Sequence, residues 1–390
     1  MREVRWANII PLVGGSALGC YNATGIKPLY NLSYSAFDKN EEPLENYWKD
    51  VPRIKIDESH KLPEGKVDFI NTVCPCAGLS LLSTAKSKEV RDKSNKWMLE
   101  SADLVLGKIR PRVFWGENAP GLFTNMGSWV RNILIEKAKK YGYSFSLYRT
   151  TTSKHGIPQN RLRTFYFFWD TPTPPILNYY DRPLKSFGDY LQEIPSWASG
   201  QKEFQWDGDI GDNSKTYLFI LDKLKMSHKE FVHVYGDGGS IHSVQTFVVE
   251  NDMIDECISW IESNFGDSKE LNRLKRIREK VAAGGRFMDG SPAYYKSTCN
   301  ALVGRNLVYI THPYKPRYLS TREIIHMMGM PHDFEFSLEN YNVNLLAQNV
   351  PSCTARDMTL EVLKFLNNEL EFHENDFLKQ DNIKQRIVEK

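Results

Sequence analysis

The sequence contains no apolar run near the roughly 18 residues that a membrane-spanning helix needs, so no such span is expected. Its opening, Met1-Arg2-Glu3-Val4-Arg5-Trp6, has no apolar signal core, and secretion is not expected either. Cysteine is scarce: six residues (20, 74, 76, 257, 299 and 353) are scattered without the paired framework of small secreted domains. No repeated C-x-x-C or histidine spacing marks a zinc site, and no metal is expected. There is no internal repeat, and the formal charge of +2 has no dominant sign. These absences leave a soluble globular protein of a reducing compartment. A hydrophobic content of 41% and a mean hydropathy of −0.47 agree with that.

At 390 residues the chain exceeds one average domain, so two domains around one main core are expected. Residues 1–170 alternate between strand and helix patterns. Strand candidates are Ala7–Leu12, Pro28–Phe37, Val67–Val73, Arg112–Trp115, Phe145–Arg149 and Thr164–Trp169. Ser128–Lys140 carries Val130, Ile133, Leu134 and Lys137 at helical spacing. Such alternation implies a mostly parallel sheet covered by helices, with ligands at the carboxyl ends of its strands. Asp170-Thr-Pro-Thr-Pro-Pro175 then breaks the pattern. Residues 171–316 show irregular periodicity and read as a second, smaller domain. Helical patterning returns at Thr321–Met328 and Thr354–Glu369, and the polar tail from His373 is expected to be helical or frayed.

Charge is concentrated in one place. From Lys269 to Arg286 the segment has seven basic and two acidic side chains, a local net of +5. Leu271, Leu274 and Val281 recur along one helical face while Arg273, Arg276 and Lys280 share another. A solvated face would explain this, and so would a surface for a polyanion.

Three polar elements fall at one edge of the expected sheet. Val67–Val73 runs into Cys74-Pro75-Cys76, Arg112–Gly116 leads to Glu117-Asn118, and Gln159-Asn-Arg161-Leu-Arg163 precedes Thr164–Trp169. A packed thiol, a capping carboxylate and a surface arginine pair are the ordinary explanations of each, and a C-x-C could also be a redox pair. Their convergence is harder to explain that way.

In this order the motifs resemble those of the DNA cytosine C5-methyltransferase family. Pro75-Cys76 resembles its Pro-Cys nucleophile motif, with Ala77 for the usual Gln. Glu117-Asn118-Ala119 and Gln159-x-Arg161-x-Arg163 resemble its Glu-Asn-Val and Gln-x-Arg-x-Arg motifs. Arg317–Glu323 with Gly329-Met-Pro331, and Ala347-Gln-Asn-Val-Pro351, resemble its two closing blocks. The resemblance covers residues 7–170 and 315–365 and implies a Rossmann-like, S-adenosylmethionine-dependent sheet with helices on both faces. On that reading 1–170 and 317–390 form the catalytic domain, and 171–316 a smaller irregular target recognition domain.

The family's chemistry implies that Cys76 adds as thiolate to C6 of a cytosine. Glu117 then donates a proton at N3, Arg163 bonds the base O2, and Arg161 supports the site or meets a phosphate. The base must be flipped out of its duplex. The basic stretch after the nucleophile, Leu79–Lys96 with Lys86, Lys88 and Arg91, is expected to form a mobile lid on DNA, and Arg273 and Arg276 a further DNA contact. On the cofactor side the resemblance implies Gly14, Gly15, Phe37, Asp38, Asp57, Asn349 and Val350, with Glu41 an alternative to Asp38. Pro11 and Ala36 stand where the family has acidic residues, which leaves open a modified S-adenosylmethionine as donor. Phe231–Ser240 and Tyr294–Asn300 are candidate groove-reading pieces.

Expected surroundings are duplex DNA, a cognate restriction endonuclease, a monomeric state and the cytoplasm of a bacterium or phage-infected host. Three rivals remain. A nicotinamide oxidoreductase would want G-x-G-x-x-G, which Gly14-Gly15-x-x-x-Gly19 does not match. The family's tRNA-methylating branch lacks a large recognition domain. A DNA-binding homologue without catalysis would not need Cys76, Glu117 and Arg163.

Overall fold

Apolar runs buried on both faces build the centre of the sheet, as strands covered by helices on each side must be. The computed structural model describes residues 4–58, 62, 65–75, 79, 88–195, 210, 214–237, 243–287, 291–303, 309–335 and 344–382. Strands β1 (Trp6–Ile9), β2 (Asn31–Ser33), β3 (Arg53–Lys55), β4 (Phe69–Thr72), β5 (Val113–Asn118), β6 (Ser144–Thr151), β7 (Leu162–Trp169) and β8 (Phe377–Asp381) form one eight-stranded sheet. Their order is β8-β6-β7-β5-β4-β1-β2-β3. All neighbours pair in parallel except β7, which runs antiparallel to both β5 and β6. The order reverses at β1, so the loops after β1 and β4 diverge and open a crevice at the carboxyl edge.

The expected α/β sheet is present, with two additions. Arg53–Lys55 is an edge strand, and the tail is a strand rather than helical or frayed, Phe377 pairing with Phe145 and Asp381 with Arg149. Aromatic side chains fill the middle: Phe114 stacks on Phe168 at 5.6 Å and Trp115 on Phe167 at 6.1 Å. One polar seam crosses this core. Asn71 donates to Asn8 at 2.5 Å, Asn8 to Asn31 at 2.6 Å, and Ser16 to Asn71 at 2.9 Å. The three asparagines are cross-strand partners, so the seam holds β4, β1 and β2 in one register.

Helix α1 (Gly15–Thr24) packs against the helix Ser352–Leu366. The approach needs glycine: a Cβ on Gly19 would lie 2.5 Å from that of Ala355. Helices α2 (Asp38–Tyr47), α3 (Lys88–Leu104) and α4 (Ser128–Tyr141) follow β2, β4 and β5.

The chain divides into two compact units, residues 1–184 with 328–390, and residues 185–327. The sequence placed these divisions at 170/171 and 316/317. Residues 171–184 go with the sheet because Leu177 N–H donates to Gln380 and Asn178 N–H to Glu361, at 2.9 and 2.8 Å. Residues 317–327 go with the smaller unit, where His326 stacks on Tyr190 at 4.2 Å.

Among its described residues that unit combines helices with a stretch at 283–320 that forms no α-helix. Helices Lys215–Leu224, His228–Tyr235, Val244–Glu250, Ile254–Phe265 and Lys269–Ala282 enclose a core that includes Tyr217, Phe231, Val248, Ile261 and Leu274. Serines 214, 227, 243 and 268 cap four of the five, and Ser227 with Glu230 completes a capping box. Phe231 and Tyr294 of the candidate groove-reading pieces are buried, 4.6 Å apart in this core.

A buried ionic cluster of the sheet unit centres on Asp357. His155 lies 2.8 Å from Asp357 and 2.9 Å from Thr150, and Arg182 donates twice to Asp357 at 2.7 Å. Burial would raise the Asp357 pKa, but the hydrogen bonds from His155 and Arg182 outweigh it and hold the carboxyl down at about 2. A carboxyl depressed on folding stabilises the fold above its unfolded value near 3.9, and loses that contribution as pH falls through its folded value. About 2 kcal/mol is expected from this group. The difference in urea-unfolding free energy between wild type and Asp357→Asn should therefore shrink as pH falls from about 4 toward 2. A difference independent of pH would show that Asp357 is not ionised in the fold.

Candidate active site

Four strands deliver polar groups to the carboxyl edge. Glu117 is the penultimate residue of β5, one past Gly116, whose partner across β4 is Thr72. Because β7 runs antiparallel, its first residues rather than its last reach this edge. Arg163 thereby meets Glu117, with Nε 2.6 Å from Oε1. Both side chains are largely buried, at 13% and 3% exposure, and neither atom completes an aligned hydrogen bond among the described residues. Burial raises the Glu117 pKa, while the charges of Arg163 and Arg161 oppose it. A carboxyl so placed takes up a proton more readily than one in water, which suits it to donate one.

Arg161 is 2% exposed and donates through Nη2 to the carbonyls of Ala347 and Asn349, both at 2.8 Å. So enclosed, it braces the edge from behind and does not present itself to a phosphate. Cys74 is also enclosed, 3.3 Å from Thr72 Oγ1, and burial pushes its thiol up to about 11. A thiol held neutral is a poor nucleophile, so Cys74 does not itself suit the attacking role. Cys76 and Lys86 lie outside the described residues, and so do the side chains of Lys88 and Arg91. Pro75 lies three residues past the end of β4, and at Leu79 the chain touches the loop after Glu117, where a Cβ on Gly121 would sit 2.2 Å from the Leu79 carbonyl. The expected lid is helical from Lys88 onward, as α3, and Lys96 there pairs with Glu100 at 3.4 Å.

The loop after β1 has an unusual backbone. Ile10, Leu12 and Gly14 have φ of 53°, 51° and 103°, alternating with ordinary residues. Alternating handedness turns successive N–H groups toward one side and makes a concavity for an anionic or polar ligand. Left-handed Ile and Leu cost roughly 1 kcal/mol each, a strain that clusters at functional sites. Leu12 and Val13 are buried, and no described residue accepts from their N–H groups.

Other expected cofactor contacts are spent internally. The Asn349 side chain accepts from Gly15 N–H at 2.7 Å, and a Cβ on Gly15 would stand 2.0 Å from the Val350 carbonyl. Gly15, Asn349 and Val350 thus make one packed junction. Asp38 accepts from Arg53 and Lys55, both at 2.9 Å, and the Lys55 bond lowers its pKa. Glu41 is buried beside Arg53, and desolvation pushes it up to about 8. Asp57 stays exposed and accepts from Ser35 N–H at 3.1 Å. Phe37 meets Trp97 of α3 edge-on at 5.1 Å, and Tyr34 lies 4.6 Å from the same ring. Trp97 was missed in the sequence, where nothing but its residue type marks it.

Arg273 and Arg276 lie on the helix Lys269–Ala282, whose buried stripe is Leu271, Leu274 and Ile277. Val281, expected in that stripe, is 37% exposed. Lys275 and Arg278 of this helix pair with Glu262 and Asp255, while Arg276 is exposed. Among the described residues no group of three His, Cys, Asp or Glu side chains is placed to hold a metal ion, and no helix is long and apolar enough to cross a membrane.

Strand order, the crevice at β1 and the paired Glu117 and Arg163 define an α/β protein that gathers polar groups at the carboxyl edge of its sheet. The chain belongs to the C-5 cytosine-specific DNA methylase family, whose model matches residues 16–349. It is 24% identical to the type II methyltransferase M.BanI of Aneurinibacillus aneurinilyticus over 296 residues, which are 70% of this chain and 65% of that protein. It is 28% identical to M.AgeI of Thalassovita gelatinovora over 343 residues, with coverages of 72% and 79%. The chain thus spans just under two thirds of the length of M.BanI. Among solved structures, a prophage-encoded protein of E. coli assigned as a DNA modification methyltransferase shares the fold with a TM-score of 0.58 at 17% identity, covering 93% of this chain and 99% of that one. A DNMT2 mutant of Spodoptera frugiperda does so with 0.53 at 14%, covering 92% and 99%.

The junction at Gly15 generates a prediction. Gly15→Ala forces the 349–350 segment away, and unfolding in urea should show a loss of about 1–3 kcal/mol. Stability equal to wild type would mean that the junction is slack.

Proposed function

We propose that this chain transfers a methyl group to C5 of a flipped-out cytosine in duplex DNA. The observation that carries the reading is the buried Glu117–Arg163 pair at the edge toward which β4 runs. The Cys76 thiolate adds to C6, and the electron pair of the C5–C6 double bond moves into the ring. Glu117 donates a proton to N3 and Arg163 bonds O2, so the ring gains no full charge. C5 is then nucleophilic and takes the methyl group. Loss of the C5 proton to a base or water, with return of the N3 proton to Glu117, expels Cys76 as thiolate and restores the double bond.

S-adenosylmethionine supplies the methyl group. The loop after β1 fits such a molecule: the buried Leu12 and Val13 N–H groups suit a carboxylate, and Phe37 and the exposed Asp57 suit an adenosine. In this reading 1–184 with 328–390 is the catalytic unit, and 185–327 recognises the target. The type II names of M.BanI and M.AgeI support a companion restriction endonuclease.

Isotope transfer from labelled S-adenosylmethionine to duplex DNA, against tRNA, tests the reading, and label in tRNA alone would move the chain to the RNA branch. Cys76→Ser should abolish transfer while Cys74→Ala retains it. Turnover by Cys76→Ser near the wild-type rate would sink the mechanism. Glu117→Gln should slow transfer by about 10²-fold or more. Its single-turnover rate is the measurement, and a rate near that of wild type would remove Glu117 from the chemistry.

A further inference from the structure

The smaller unit concentrates positive charge along one line of one helix. The helix Lys269–Ala282 buries Leu271, Leu274 and Ile277. At about 3.6 residues per turn, Lys269, Arg273, Arg276 and Lys280 fall within about 60° of one another, on the side away from that stripe. Successive members are three or four residues apart, which makes a straight ridge roughly 16 Å long. Lys269, Arg276 and Lys280 are exposed, and Arg273 is half-buried.

Acids are close at hand but engaged elsewhere. Asp255 and Glu262 of the preceding helix pair with Arg278 and Lys275, at 3.2 and 2.9 Å, and both of those cations lie off the ridge. Glu256 of the same helix takes Lys223. Glu270 caps the start of the helix Lys215–Leu224, accepting from Lys215 N–H at 2.7 Å and Thr216 N–H at 3.0 Å. Lys215 adds a fifth cation beside the first turn, its Nζ 5.0 Å from the ring centre of the exposed Phe265. Among the described residues Lys269 and Lys280 make no ion pair, and Arg276 donates through Nε to the Asn272 carbonyl at 3.2 Å.

A ridge so built weakens its own helix. Lys269 with Arg273, and Arg276 with Lys280, are like charges four residues apart, and Arg273 with Arg276 three apart, spacings at which they repel. Lys269 also stands in the first turn, where the helix dipole disfavours a cation. A merely solvated face alternates its signs and avoids both effects. Here the alternation is confined to the flank, and the ridge has one sign.

The form of the charge names the ligand. A small anion needs donors that converge, whereas these stand in a line. One strand of duplex DNA carries a phosphate every 3.4 Å or so of its axis, so the ridge runs beside about five of them. A membrane surface is also an extended anion, but the apolar face of this helix is spent in the core and none is left to insert. We propose that Lys269, Arg273, Arg276 and Lys280 form a rail that holds one strand of duplex DNA by its phosphates without reading its sequence. The inference rests on the function proposed above and gives the smaller unit a share of binding that is independent of the bases.

The test uses the full chain and two duplexes of equal length and unrelated sequence, with binding followed by fluorescence anisotropy across a salt series. Each lost phosphate contact makes the slope of log K against log salt shallower by about 0.9. The triple variant Lys269→Gln, Arg276→Gln and Lys280→Gln should lose about two to three from the slope and bind on the order of 10²-fold more weakly near 0.1 M salt. The loss should be the same factor on both duplexes, and the urea-unfolding midpoint should not fall, since the charges removed repel one another. A control with the same charge loss, Lys223→Gln, Lys275→Gln and Arg278→Gln, takes cations already engaged by acids and should keep a slope near that of wild type. A wild-type slope in the ridge variant, an equal fall in the control, or a loss confined to one duplex overturns the rail alone. A wild type that binds neither duplex overturns the proposed function and the rail together.

Discussion

Everything at the carboxyl edge depends on where Arg161 puts its guanidinium. The side chain is enclosed and charged, and a buried cation must find acceptors or lose several kcal/mol. It finds them in the Ala347 and Asn349 carbonyls, which brings a segment almost 190 residues later in the chain against the start of β7. Asn349 then turns its side chain to Gly15 and ties down the first turn of α1. One short stretch of backbone thus fixes the loop after β1, the Gln159–Arg163 block and, through them, the distance from Arg163 to Glu117.

The two cysteines of Cys74-Pro75-Cys76 show how environment divides like residues. Cys74 faces the interior, among Thr72, Ser101 and the ring of Tyr166, where burial keeps the sulfur protonated. Whatever thiol acts at this edge must be one that a positive field can reach. Arg163 and Arg161 are the positive groups shown at this edge, where they oppose the desolvation that raises the Glu117 pKa.

Strands β1, β4, β5 and β7 were legible because long apolar runs leave few alternatives. Arg53–Lys55 and Phe377–Asp381 were not. They are edge strands, half polar, and their pairing is decided by β2 and β6 rather than by their own pattern. The smaller unit read as irregular because its helices are short and its signals lie just outside them, in the capping serines. In the site, the sequence positions of Glu117 and Arg163 at facing strand ends foretold that the two side chains meet. Those of Gly15, Asn349 and Val350 did not foretell their junction, since a motif shows that residues lie near a site and not whether they face the ligand or each other.

The junction at Asn349 and the tail strand also bear on timing. The acceptors for Arg161 leave the ribosome long after Arg161 itself, and the partner of the Arg149 edge leaves later still. At about 5–20 residues per second the nascent chain spends on the order of ten seconds with strands β1 to β7 made and the edge unbraced. During that interval apolar strands wait for a distant closing segment, a topology that folds slowly and exposes unpaired surface. The carboxyl edge is therefore the last part of the sheet unit to be completed.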